Sequence, residues 1–358
     1  MHEAETKPIG VIVAQLGTPE APTAKGLRTY LAEFLSDMRV IDYHPLVWQP
    51  ILRGIILRVR PSKSARLYQR IWLKEGSPLL VYSQRQVEKL QAILGDHYRV
   101  ILGMTYGRPN IKDAVATLEA EGIDRILVLP MFPQYSSTTT ASIYDAVYDA
   151  AAGNRASFAH QRKRFVPTLR FVEPYYDDPR YIDAMKTHLQ QTINSLSYVP
   201  DQYIITFHGI PDRYLRTGDP YRQQCEHTAN LLADAMGWRA DEWQICFQSR
   251  FGPEEWLQPY TDQVLEGLHH QGYERPLVFS PGFVTDCLET LDELGNEGQE
   301  QFEEGGGHPE TYHLASCLND HPAWIDTMVE LVRQNALGWA PQEHEEADLL
   351  PSFSVHPN

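Results

Sequence analysis

The stretch LVFSPGFVTDCLETLDELGNE, residues 277–297, reads as a strand, a turn and an acidic helix in immediate succession. Leu277, Val278 and Phe279 form a short apolar run, and Pro281-Gly282 ends it. Glu289, Glu293 and Glu297 then recur at every fourth residue. In an α-helix that spacing places three carboxylates along one face. Like charges so arranged repel, so the row costs stability unless a cation lies beside it. A strand end that opens onto a row of carboxylates is a place for a metal ion or for moving protons.

The same strand–turn–helix unit recurs along the chain. Apolar, β-rich runs occur at 10–16, 100–106, 125–130, 168–172, 203–207, 244–248 and 277–279. Amphipathic helical spacing occupies 84–94, 111–121, 179–195 and 221–236 between them. Strands alternating with helices specify parallel sheets covered on both faces. The strand ends also repeat. LGTP (16–19), TYGRP (105–109) and LPMFPQYSSTTTAS (129–142) are followed by FHGIP (207–211), QSRFGP (248–253) and SPGFVTDCLETL (280–291) in the same order. The expected fold is therefore α/β, with two similar Rossmann-like domains, each a parallel sheet flanked by helices. The expected division is 1–160 and 161–320, followed by a helix at 321–340 and an acidic, Pro-containing tail at 341–358.

Composition narrows the functional classes. The 358 residues suffice for two domains, and 42% hydrophobic with 22% charged residues is ordinary for a folded protein. A net charge of −16 argues against nucleic acid as the main partner. There is no apolar run of membrane-spanning length and no apolar signal core near the start, which points to the cytoplasm. Cys225, Cys246, Cys287 and Cys317 show no metal-type spacing and read as free thiols. The window 43–74 is exceptional. It has no acidic residue, seven Lys or Arg, and an apolar set including Leu46, Val47, Trp48, Ile51 and Ile55. Such a segment suits either a membrane surface or an anionic, greasy ligand, or else a helix with one buried stripe and a solvated basic face.

Several common signatures are missing: GxGxxG after the first strand, a Walker A loop and a GxSxG elbow. His208 follows a strand and precedes Gly209 and Pro211, so the turn presents its ring at the carboxyl end of the sheet, where open α/β folds bind ligands. An imidazole beside carboxylates can hold a divalent transition metal or take protons near neutral pH. Glu289 lies near the strand end, one turn into the helix. Asp286 has capping-box spacing to it and reads equally as a cap or as a functional carboxylate. The hydroxyls of 136–140 suit either a helix cap or the carboxylates of a ligand, with Tyr106 and Tyr135 as flat walls.

Taken together, QLGTP (15–19), FLSDMRV (34–40), GSPL (76–79), MTYGRP (104–109), LPMFPQYSSTTT (129–140), FHGIPDRY (207–214), TGDPY (217–221), FQSRFGPEEWLQPYT (247–261) and PGFVTDCLETLDEL (281–294) make the chain resemble the ferrochelatases. These enzymes insert ferrous iron into a porphyrin. The resemblance implies His208 and Glu289 as the catalytic and metal-facing pair. It implies Asp286, Glu293 and Glu297 as a proton or metal path, and Leu16, Ser77, Tyr106, Tyr135 and Ser136 as porphyrin-binding residues. Window 43–74 would form the lip of the pocket, with peripheral contact to the inner membrane surface. Protoporphyrin IX and Fe(II) would be substrates, with no permanently bound cofactor. Ser137 stands where animal relatives carry a cluster-ligating cysteine, so no iron–sulfur cluster is expected. Thr105 replaces a frequent arginine and Cys287 a histidine. A chelatase for another tetrapyrrole or metal, a tetrapyrrole carrier and a nucleotide-binding α/β enzyme are the competing readings.

Overall fold

The computed structural model describes residues 7–153 and 162–339. The tail expected from 341, and part of the expected divide near residue 160, lie outside the described residues. The first half runs β1 (Ile9–Thr18), α1 (Ala24–Phe34), α2 (Pro45–Ile51), a π-helical turn (Leu52–Ile56), α3 (Leu57–Ile71), α4 (Pro78–Leu94), β2 (Tyr98–Gly107), α5 (Ile111–Ala120), β3 (Arg125–Pro130), α6 (Thr140–Ala152) and β4 (Thr168–Phe171). The second half runs α7 (Pro179–Ser195), β5 (Gln202–His208), α8 (Asp212–Arg216), α9 (Tyr221–Met236), β6 (Trp243–Gln248), α10 (Thr261–Gly267), β7 (Pro276–Phe279), a π-helix (Glu289–Glu297), α11 (Gly298–Glu304), β8 (His313–Leu314) and α12 (Pro322–Asn335).

Two four-stranded parallel sheets result, ordered β2-β1-β3-β4 and β6-β5-β7-β8. In each sheet the first strand of the series lies inside, flanked by the second and third. The matched strand ends in the sequence are thus matched in space. All seven expected strands form, and β8 is a two-residue eighth, too short to show a period in sequence. β4 pairs with β3. The first sheet therefore takes in residues up to 171, beyond the boundary expected at 160.

The central strands explain the shared core. β1 is buried at every position but Leu16, as expected of a strand covered on both faces. Because side chains alternate across a strand, Ile9, Val11 and Val13 face one way while Ile12 and Ala14 face α5 and α6. The first set joins one continuous cluster with Tyr203, Ile205 and Phe207 of β5. α12 closes this cluster with fully buried Trp324 and packs against both α7 and α4. The last helix therefore links the halves and does not simply trail the second.

Buried polar groups make a second link. Gln86 on α4 is fully buried, and its amide donates to Thr285 Oγ1 (3.0 Å) and to the Asn319 carbonyl (2.6 Å). Gln15 at the end of β1 donates to the same Thr285 hydroxyl at 3.2 Å. Removing one partner from such a network leaves the others desolvated and unpaired. Gln86→Leu should therefore destabilise the protein by about 1–3 kcal/mol in urea unfolding. An unchanged midpoint would show that the network does not join the halves.

Candidate active site

A cleft opens at the carboxyl ends of the strands. Gln15 to Thr18 of β1 and Met131-Phe132 after β3 form one side, and residues 282–285 with Cys287, Leu288 and Glu289 form another. Tyr30, Tyr68, Ile71 and the start of α4 at Ser77 close it over. Gly17 makes the approach of β1 possible. Its φ of 127° and the Tyr106 carbonyl, 1.8 Å from where a Cβ would lie, leave room for no side chain. The lining is mostly apolar with a few polar groups, as in sites for large flat ligands.

His208 ends β5, whose neighbour β7 leads to Glu289, so the two come from adjacent parallel strands. The imidazole lies between Trp256 and Phe283, with ring centroids 6.5 and 6.4 Å away. Its Nδ1 is 2.6 Å from the Gly209 carbonyl. A carbonyl only accepts, so Nδ1 carries the hydrogen and Nε2 keeps a free lone pair. Burial pushes the His208 pKa below its usual value, opposed by the Glu289 charge and by the Gly209 carbonyl. The ring is therefore neutral at neutral pH and basic at Nε2.

The acidic helix departs from expectation. All of Glu289–Glu297 is π-helical, not α-helical. A fourth-residue repeat overshoots an α-turn of 3.6 residues and falls short of a wider π-turn, so the row stays on one side in either form. Glu293 does feel both Glu289 and Glu297. Burial first, then those two charges, raise its pKa to about 7, while the Ser249 hydroxyl, donating at 2.5 Å, works against the rise. Ser249 holds φ at 66°, a left-handed conformation rare for a residue with a side chain. Burial also raises the Glu297 pKa, helped by Asp292 and opposed by Arg70. The cation beside the row comes from α3. Arg70 on α3 pairs with buried Asp292 at 3.0 Å, and Arg60, stacked over Phe251 at 5.0 Å, feels Glu289.

Asp286 is not part of that row. Its carboxylate accepts from Thr290 Oγ1 (3.0 Å), the Cys317 N–H (3.1 Å) and Asn319 Nδ2 (2.6 Å). The capping box expected with Glu289 is not made. Thr290 Oγ1 accepts from the Cys287 N–H at 3.0 Å instead.

Among the expected pocket residues, Leu16 and Ser77 line the cleft, and Ser77 also caps α4. Tyr106, Tyr135 and Ser136 are not among its lining residues. The Tyr106 hydroxyl is turned to Asp37 at 2.6 Å. The Ser136 hydroxyl and the Ser137 N–H hold Asp219, at 3.2 and 2.7 Å, so that loop binds a carboxylate of its own chain. Thr105 donates to the Gln15 carbonyl. Tyr30, Tyr68, Phe132 and Phe283 were not anticipated. Tyr68 lies within the basic window, but the direction of its ring depends on tertiary packing.

That window forms α2, the π-turn and α3. Trp48, Leu52, Leu57 and Tyr68 are buried, which satisfies the buried-stripe reading, and Trp48 Nε1 donates to the Leu35 carbonyl at 2.6 Å. A second apolar set remains outside, with Leu46 81% and Ile55 62% exposed beside Val47 and Val59. Among the described residues, no helix is long and apolar enough to cross a membrane. No group of three or more His, Cys, Asp or Glu among them could hold a metal ion. All four cysteines are buried and free.

Comparison with known proteins agrees with this architecture. The Ferrochelatase family model matches residues 8–336. Ferrochelatase of Brucella canis is 45% identical over 344 residues, covering 95% of each chain. That of Brucella ovis is 44% identical over the same length. Among solved structures, the sirohydrochlorin chelatase SirB from Bacillus subtilis subspecies spizizenii, in complex with cobalt, aligns with a TM-score of 0.53 at 12% identity. That alignment covers 92% of this chain and 95% of SirB. SirB from Bacillus subtilis with Fe3+ aligns at 0.51 and 16% identity, covering 73% and 92%. At such low identity these two speak for the fold alone. The family match and the full-length relatives carry the assignment: the chain belongs to the ferrochelatase family.

Proposed function

We infer that the chain is a ferrochelatase, a lyase that inserts Fe(II) into protoporphyrin IX in haem synthesis and releases two protons. The observation that best supports a mechanism on these residues is the neutral imidazole of His208, basic at Nε2 and within the field of Glu289. Metallation exchanges two pyrrole protons for one divalent cation. The macrocycle supplies four nitrogens, so the protein need provide only a transient hold and a proton acceptor. His208 takes the protons at Nε2, and Glu289 stabilises the imidazolium that forms. An imidazole and a carboxylate also suit a first-row divalent metal, so the same pair can receive the iron.

Glu293 and Glu297 extend from Glu289 as a path for protons or cations. A carboxyl whose pKa lies about 7 exchanges protons readily in both directions, which a relay requires. Asp286 serves the path indirectly, by holding the start of the π-helix to the Asn319 loop. The apolar walls at Leu16, Phe132 and Phe283 bind the macrocycle face, and its binding energy is available to bend it so that nitrogen lone pairs leave the plane. The exposed apolar set on α2 and the π-turn, beside Arg53 and Arg58, is the contact with an anionic membrane surface.

Adding Fe(II) to the protein with protoporphyrin, and separately with coproporphyrin, should give the absorbance change of metallation with protoporphyrin. Binding without turnover of either would mark a carrier. His208→Ala should lower insertion by at least about 100-fold while porphyrin affinity changes little. Wild-type turnover in that variant would remove His208 from the mechanism. The Glu293 carboxyl binds its proton more tightly folded than unfolded. Its contribution to stability is thus greatest below 4.5, falls as pH rises towards about 7, and is flat above. Glu293→Gln should accordingly unfold at higher urea than wild type above that window, by at most about 3 kcal/mol, with the gap closing at acid pH. A gap independent of pH would contradict this. Replacing Leu46, Val47 and Ile55 together by Ser should abolish flotation with anionic vesicles, and failure of the wild-type protein to float would rule out the membrane contact.

A further inference from the structure

Three hydroxyls meet on the wall of the cleft next to Glu289, and the mechanism above makes no use of them. Thr18 ends β1, Tyr30 projects from α1 and Tyr68 from α3, and all three line the cleft together with Glu289. Each is more than nine-tenths buried. The tyrosine rings pack in the apolar cluster beneath the lip, a role that phenylalanine would fill without burying a hydroxyl. Thr18 Oγ1 is fully enclosed and, among the described residues, has no hydrogen-bond partner. Tyr68 lies beside both Tyr30 and Thr18. Burial, reinforced by the Glu289 charge, pushes both tyrosine pKa values up, so both remain O–H donors.

The donor count defines what fits. Three hydroxyls bring three O–H groups, and a bond from one tyrosine to the other would use one. Two O–H groups remain beside a carboxylate that only accepts. A water molecule accepts from two donors and donates twice, so one water satisfies Thr18, the free tyrosine hydroxyl and Glu289 together. We propose that Thr18, Tyr30 and Tyr68 hold one ordered water beside Glu289 and through it fix the direction in which that carboxylate meets the bound macrocycle. They are positioning residues, and their effect on turnover rests on the role given above to Glu289.

The test compares Thr18→Val, Thr18→Ser and Tyr30→Phe in the full-length chain, by thermal melting without substrate and by steady-state Fe(II) insertion into protoporphyrin. Valine matches threonine in shape but cannot bind the water, so Thr18→Val should melt below wild type and Thr18→Ser should not. If the hydroxyl is dry, valine relieves a buried unpaired group and the melting temperature rises, which overturns the water. In turnover, Thr18→Val and Tyr30→Phe should lose between roughly 10- and 100-fold in kcat, with KM for porphyrin little changed, and Thr18→Ser should restore what valine loses. Wild-type kcat in Thr18→Val overturns the positioning role even if the notch is wet. The melting comparison needs no turnover, so it judges the notch even if the chain metallates no porphyrin.

Discussion

The cleft depends on a knot of hydrogen bonds buried beneath it. Thr285 receives Gln15 from the first half and Gln86 from α4, while the Asn319 carbonyl takes the same Gln86 amide. Asn319 in turn donates to Asp286 and accepts from its backbone. Two glutamine amides thus tie the end of β1 and α4 to the turn after β7 and the approach to α12. Buried polar groups accept few alternative arrangements, because each unpaired one costs about 1–3 kcal/mol. The knot joins the two sets of strand ends beneath the cleft.

Above the knot, a single physical effect sets the protonation states. Desolvation disfavours charge of either sign, so it lowers the pKa of His208 and raises those of Glu293 and Glu297. Burial thereby favours the uncharged imidazole and the uncharged carboxyls alike. The cations that offset the acidic row come from α3, through Arg70 and Arg60. Lip and acidic helix are therefore electrically one unit, although some 220 residues of sequence lie between them.

Most of the fold was legible because parallel sheets declare themselves in local patterns. β1, β3 and β5 are short apolar runs with turn residues after them, and nothing tertiary is needed to recognise them. The place of His208 at the end of β5 was legible for the same reason, since a strand followed by Gly and Pro has one direction to go. The π-helix was not, because a fourth-residue repeat fits a wide turn as well as a narrow one. Ser136 and Ser137 misled for another reason. Their chemistry does suit a carboxylate, but Asp219 arrives from the other half to supply it, and sequence offers no measure of that proximity. Tyr30 and Tyr68 were missed because a tyrosine on an amphipathic helix looks like core, which in part it is.

The equal strand order of the two sheets places Leu16-Gly17 at the end of β1 where the second sheet has His208-Gly209 at the end of β5. The fold offers one slot twice, and only one copy is armed. One slot presents hydrocarbon and the other a base, although the supporting strands are built alike. The two strand ends therefore differ in chemistry where they agree in backbone. If the porphyrin proposed above lies between these two strand ends, one of its faces meets leucine and the other histidine.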